Sequence, residues 1–215
     1  MAEAHTLPLD DLVDRARVLA ADGPRQLLGI AGAPGAGKST LAERVVAAVG
    51  PTAALVPMDG FHLAQAELRR LGRDARKGAV DTFDAYGYVA LLRRLRRLEP
   101  TTVYAPQFRR DLEEPVAGAI AVPPEVTLVV TEGNYLLLPE YPWDEVRALL
   151  HQAWFLDLDA ELRLRRLTAR HEAYGRSPEQ ARQWALGTDE TNAALVAGTA
   201  GRADLVVRLA DPLPG

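Results

Sequence analysis

Gly32-Ala33-Pro34-Gly35-Ala36-Gly37-Lys38-Ser39 constrains this chain more than any other segment. It satisfies the pattern G-x-x-x-x-G-K-[ST], and it lies between a short apolar run at residues 26–31 and a stretch of helical periodicity at residues 39–49 that Gly50-Pro51 closes. A strand, a glycine-rich turn and a helix in that order curl backbone N–H groups around an anion and aim the positive end of the helix at it. In this reading the main chain of Gly32, Ala33, Gly35, Ala36 and Gly37 cradles phosphate oxygens. Lys38 reaches the β- and γ-phosphates, Ser39 ligates magnesium and Thr40 adds a phosphate contact. ATP and Mg2+ are the expected cofactors.

The rest of the chain alternates strand and helix patterns. Residues 8–21 read as a helix packed outside the sheet, 54–58 as a second strand and 63–71 as a helix. A polar loop follows at 72–84 and an Arg/Leu helix at 85–98. A short extended piece holds Tyr104, and residues 108–124 show no clear periodicity. Residues 126–131 read as a central parallel strand and 153–158 as another. Helices are expected at 161–174, 178–186 and 190–197, and a last strand at 205–209. Such alternation implies a three-layer α/β fold with a mainly parallel central sheet flanked by helices. At 48% hydrophobic content the chain can bury one substantial core, so a single domain over 1–215 is expected.

Composition removes several function classes. There is no cysteine, so a disulfide framework, a thiolate metal site and a cysteine nucleophile are excluded. A net charge of -4 argues against a nucleic-acid partner. Residues 1–6 lack a basic segment leading into an apolar core, and no run approaches a membrane span, so a soluble cytoplasmic protein without a membrane partner is expected. Arg93, Arg94, Arg96 and Arg97 interleave with leucines as the solvated face of an amphipathic helix. Only two lysines occur, Lys38 and Lys77, against many arginines.

Three features after the other strands point to phosphoryl transfer. Asp59 follows the second strand, where the C-terminal ends of parallel strands line the ligand crevice, and a carboxylate there can accept a hydroxyl proton from a substrate. A turn-forming Asp before Gly is the structural alternative. Glu132 ends the central strand, where an acid can hold magnesium directly or through water; an ordinary strand-end acid is its alternative. Arg163, Arg166 and Arg170 share one helical face, followed by Arg176, and can close over a triphosphate or form a solvated face.

Gly32 to Thr40, Met58-Asp59-Gly60-Phe61-His62-Leu63, Val130-Thr131-Glu132-Gly133-Asn134-Tyr135 and Phe155-Leu156-Asp157 with the arginine helix together resemble the uridine kinase, phosphoribulokinase and bacterial pantothenate kinase superfamily. The likeness is greatest to its nucleoside/nucleotide kinase-like and fructose-transport-system kinase-like group. It implies a kinase core at 26–209, a helix within 1–23 ahead of it, and a lid with its following helix at 160–188. By the resemblance, Asp59 matches the catalytic base, Glu132 the magnesium-associated acid, and Arg163, Arg166 and Arg170 the lid arginines, with Lys38, Arg166 and Arg170 assisting transfer and Arg163 binding nucleotide. Arg76-Lys77-Gly78 resembles the Lys-Lys-Gly of pantothenate kinases, which makes Asp84 a candidate for a substrate hydroxyl. Tyr104 resembles the tyrosine beside the nucleoside in uridine kinases. Phe108-Arg109-Arg110 stands where those enzymes carry a histidine, so Arg109 joins His62, Asp84 and Tyr104 as substrate-binding candidates; His62 is equally readable as structural. The implied partner is a small-molecule hydroxyl acceptor: a nucleoside, sugar, sugar acid or pantothenate-like compound. A homodimer is expected on base rates alone. The alternative is an ATP-binding regulatory module or pseudo-kinase; no Asn-Lys-x-Asp guanine-reading motif supports a GTPase.

Overall fold

The computed structural model describes residues 4–173, 175 and 177–211, so Tyr174 and Arg176 lie outside the described residues. In chain order the elements begin with β1 (His5–Leu7), α1 (Leu9–Ala21), β2 (Gln26–Ala31), α2 (Lys38–Val49), β3 (Ala53–Leu55), α3 (Gln65–Arg70) and α4 (Ala85–Arg96). They continue with β4 (Val103–Arg109), β5 (Glu114–Val122), β6 (Leu128–Gly133), α5 (Asp144–Leu149), β7 (Gln152–Leu156), α6 (Ala160–Ala173), α7 (Pro178–Leu186), α8 (Thr188–Ala197) and β8 (Leu205–Leu209). Among the described residues no helix is long and apolar enough to cross a membrane.

Six strands form one sheet in the order β1-β8-β7-β2-β6-β3, and every pairing is parallel. Strands buried on both faces explain the near-continuous apolar runs. Alternate side chains feed two cores: Leu28, Ile30, Leu128 and Val130 pack with Leu12, Ala16, Leu41 and Val45 of α1 and α2. Leu27, Val129, Ala153 and Phe155 pack on the other face with Leu92 and Leu95 of α4, Val146 of α5 and the hairpin residues Val103 and Val122. The chain thus adopts the expected three-layer α/β fold with a parallel sheet flanked by helices.

The second strand is shorter than expected, and one residue explains it. Val56 N–H donates to Val130 O at 2.8 Å, but Pro57 has no N–H to continue the ladder, and Met58–Phe61 closes into a single 3-10 turn. Asp59 therefore sits in that turn and not at a strand end. Glu132 lies inside β6, which runs to Gly133. Residues 103–122, partly read as irregular, form an antiparallel hairpin of β4 and β5 whose register shifts between Ala105 and Gln107. His5–Leu7 joins the sheet edge beside β8, and α5 was not evident from the sequence pattern. The polar loop at 72–84 contains 3-10 turns at Asp74–Arg76 and Val80–Thr82.

A buried hydroxyl chain fixes the approach to Asp59. Thr131 Oγ1 donates to Val56 O at 2.6 Å, and since that spends its only proton, Tyr88 OH donates to Thr131 Oγ1 at 2.7 Å. Both side chains are fully buried. Thr131→Val strands the Tyr88 hydroxyl and the Val56 carbonyl, so we expect a loss of about 2–4 kcal/mol in urea unfolding, read from the midpoint at unchanged m-value.

Candidate active site

The phosphate loop leaves β2 between two parallel neighbours, β6 and β7, at the C-terminal edge of the sheet, where ligands of open α/β sheets bind. Gly37 caps α2 with φ +95° and no side-chain hydrogen bond to the first backbone N–H groups of the helix. Gly35, at φ +80°, allows α6 to lie on the loop: a Cβ there would stand 2.7 Å from Leu167 Cγ.

Lys38, Ser39, Asp59 and Glu132 meet in one cleft of about 1020 Å³. Lys38 Nζ donates to Ala33 O at 3.0 Å and to Asn134 Oδ1 at 2.8 Å. Burial lowers its pKa, opposed by the charges of Glu132 and Asp59 and reinforced by Arg170. Ser39 Oγ donates to Glu132 Oε1 at 3.1 Å. Burial, with the nearby Asp59 charge, raises the Glu132 carboxyl to about 7. The Ser39 hydroxyl and Glu132 carboxylate are adjacent hard oxygen donors of the kind Mg2+ takes when phosphate and water supply its other ligands. No cluster of three or more His, Cys, Asp or Glu with metal-site geometry occurs among the described residues.

The far half of the cleft is framed by the turn holding Asp59, by α3 and by the β4-β5 hairpin. His62 Nδ1 lies 2.8 Å from Asp59 O, and its ring packs at a tilt against Phe83 at 4.0 Å and Phe108 at 4.8 Å between centroids. Burial lowers its pKa, against the Asp59 charge and the hydrogen bond to the Asp59 backbone, which raise it. Lys77 Nζ stands 5.1 Å over the Phe108 ring and donates to Glu113 O at 2.5 Å. Trp184, Asp189 and Asn192 of α7 and α8 close the rim, and Asn192 Nδ2 donates to Gly78 O at 3.3 Å.

Arg163, Arg166 and Arg170 of α6 divide. Arg170 lines the main cleft, and a Cβ at Gly37 would lie 3.5 Å from Arg166 Nη1, which puts that guanidinium against the phosphate loop. Arg163 is buried, ion-paired with Glu190, and borders a separate cavity of about 260 Å³ walled by Ala33 and Ala36 from the other side of the loop. Its Nη1 has no partner among the described residues. Thr40 lies in the first turn of α2.

Three substrate candidates lie away from the lining. Asp84 caps α4, its carboxylate accepting from Gly87 N at 2.8 Å. Tyr104 is exposed on the outer face of β4, and Arg109 is exposed and ion-paired with Asp111 at 2.8 Å. The bulge in β4 exchanges inner and outer faces, so Phe108 and Arg110 line the cleft where plain alternation from Val103 and Ala105 would point Gln107 and Arg109 inward. Sequence reasoning also passed over Asn134 as a partner of Lys38. Its place directly after Glu132-Gly133, at the C-terminal end of a central strand, was the signal.

Comparison with known proteins finds similar chains. The profile of the "Phosphoribulokinase / Uridine kinase family" matches residues 27–211. A candidate uridine kinase of Schizosaccharomyces pombe is 34% identical over 175 residues, spanning 77% of this chain and 74% of that protein. An ATP-dependent kinase-like protein of Aspergillus versicolor is 38% identical over 145 residues, 63% of this chain and 84% of that protein. The crystal structure of a candidate fructose transport system kinase from Silicibacter superposes with a TM-score of 0.84 at 34% identity, covering 93% of this chain and 98% of that one.

Because folding lifts the Glu132 pKa from the ordinary carboxylate range to about 7, the ligand-free protein binds more protons folded than unfolded across that interval. Through this group stability falls as pH rises from about 5 to 7, while His62 and His151, whose pKa values burial lowers, work in the opposite direction. The difference in melting temperature between the parent and Glu132→Gln should therefore move against the parent as pH rises through this interval.

Proposed function

The chain belongs to the phosphoribulokinase / uridine kinase family, and on that premise we propose that it transfers the γ-phosphoryl group of ATP to a hydroxyl of a small polar metabolite. The observation that carries this reading is the convergence of Lys38, Ser39, Asp59 and Glu132 in one cleft, with room beyond Asp59 for an acceptor. When bound, ATP·Mg2+ supplies the transferable phosphoryl group.

Lys38, held by two neutral oxygens, presents an ammonium to phosphate. Ser39 and Glu132 hold the metal once Glu132 is ionised. Asp59 takes the proton of the attacking hydroxyl, and Arg166 and Arg170 neutralise charge as α6 and α7, residues 160–188, act as the lid that keeps water out. Arg163 reads as a nucleotide-side residue through its cavity against Ala33 and Ala36. Sugars, sugar acids, nucleosides and pantothenate-like compounds are the acceptor classes proposed.

An ADP-release assay with ATP, magnesium and a panel of such acceptors tests the reading. Asp59→Asn should retain nucleotide binding by calorimetry and lose transfer by about 10²–10⁴-fold, whereas Lys38→Ala should weaken both. Undiminished transfer in Asp59→Asn removes the base assignment. Nucleotide binding without turnover on any acceptor favours the regulatory-module alternative.

A further inference from the structure

Pro57 ends the ladder between β3 and β6 once Val56 N–H has donated to Val130 O. The Val56 carbonyl accepts from a side chain, the Thr131 hydroxyl, at 2.6 Å. Tyr88 OH donates to that hydroxyl at 2.7 Å and so keeps its proton on the carbonyl; both side chains are fully buried. From Val56 to Asp59 the chain has little freedom. Pro57 holds φ at -68°, and Met58–Phe61 is a 3-10 turn closed where His62 N–H donates to Asp59 O at 3.1 Å. On the other side of Glu132, Gly133 lets Met58 lie directly on β6, since a Cβ there would stand 2.6 Å from Met58 Cβ and 2.8 Å from Met58 Sδ. The turn that carries Asp59 is thus docked on both chain neighbours of Glu132, and the Asp59 charge acts on Glu132 and on Lys38.

Resting on the kinase reading above, we propose that Thr131 is a positioning residue for phosphoryl transfer: its hydroxyl, next in the chain to Glu132, holds the Val56 carbonyl and with it the turn that places Asp59 against Glu132 and the phosphate loop. Thr131 is fully buried and does not line the cleft, so it acts only through Val56 and the turn. Valine matches its shape but puts a methyl where the donor stood, which removes that bond to Val56 O and frees the turn to shift on β6. A misplacement of about 1 Å at reacting groups costs on the order of 10²-fold in rate. Tyr88 has a different part. Without its hydroxyl the Thr131–Val56 bond remains, so its loss weakens the core and leaves the turn in place.

The test is ATP-dependent ADP release by the full chain with uridine, D-ribose, D-glycerate and pantothenate as acceptors, well below each variant's unfolding midpoint, with ATP affinity read by calorimetry. On the probe that the parent turns over best, Thr131→Val should lose kcat by at least about tenfold while acceptor KM and ATP affinity stay within about threefold. Thr131→Ser, which keeps the hydroxyl, should return kcat to within about threefold of the parent. Tyr88→Phe should lower the unfolding midpoint and leave kcat unchanged. A kcat of folded Thr131→Val equal to the parent's, an equal loss in Tyr88→Phe, or no rescue by Thr131→Ser overturns the assignment while leaving the kinase reading intact. If Thr131→Val does not fold, Thr131→Cys carries the same comparison, because a thiol is a much weaker donor in that place. Absence of ADP release by the parent with every probe while nucleotide binds counts against the kinase reading itself, and the positioning role falls with it.

Discussion

The cleft is centred on an ammonium that no carboxylate among the described residues touches. Lys38 is buried, and its two hydrogen bonds go to neutral oxygens, the Ala33 carbonyl and the Asn134 amide. Glu132, the acid nearest in the strand order, is hydrogen-bonded to Ser39 instead and is held largely protonated below about pH 7. A buried cation hydrogen-bonded only to neutral oxygens, with the Glu132 and Asp59 charges nearby but not bonded to it, is costly until an anion arrives, which suits the cleft to a polyanion. Pairing Lys38 directly with Glu132 would satisfy both charges and compete with phosphate. Asn134 avoids that competition by holding the ammonium in place without cancelling it.

The sequence disclosed what depends on local chemistry. The phosphate loop announces itself because only glycine-rich chain can turn amides inward there, and the parallel strands announce themselves because burial on both faces leaves continuous apolar runs. Lys38, Ser39 and Glu132 reach the cleft because the loop and the end of β6 share one edge of the sheet, and Asp59, His62 and Arg170 reach it from the 3-10 turn and from α6. The rest depended on events that are not local. Pro57 could be read as a ladder break, but whether the chain then formed a turn carrying Asp59 depended on Gly60 packing against the hairpin, where a Cβ would stand 2.4 Å from Pro106 O. The face exchange that turns Arg110 inward and Arg109 outward arises from a bulge with no sequence mark. Asp84 had a motif-like setting and turned out to cap a helix, a use to which Asp before a helical segment is commonly put. Arg163 lay on the expected helical face but is buried against Glu190, a partner from α8 that periodicity could not supply.

The cleft has two differently built halves. Towards the phosphate loop the groups are main-chain amides, an ammonium and hard oxygens, which suit any nucleoside triphosphate. Towards the hairpin they are aromatic rings, a histidine of fixed tautomer and charged side chains carried by α3 and the β4-β5 connection. The first half is set by the sheet, the second by a peripheral hairpin and short turns. Variation in the hairpin can therefore reshape the far half of the cleft without disturbing the half beside the phosphate loop.

The position of β2 has a consequence for how this protein comes into being. The strand that launches the phosphate loop is flanked by β6 and β7, both made much later in the chain. A nascent polypeptide thus carries the complete loop sequence long before it has the neighbours that hold the loop in shape, and closing such distant parallel pairings is slow. Nucleotide affinity is consequently a property of the finished molecule and not of the motif. A bound triphosphate would act as a late clamp on the newly completed fold, selecting chains whose sheet has assembled in the right order.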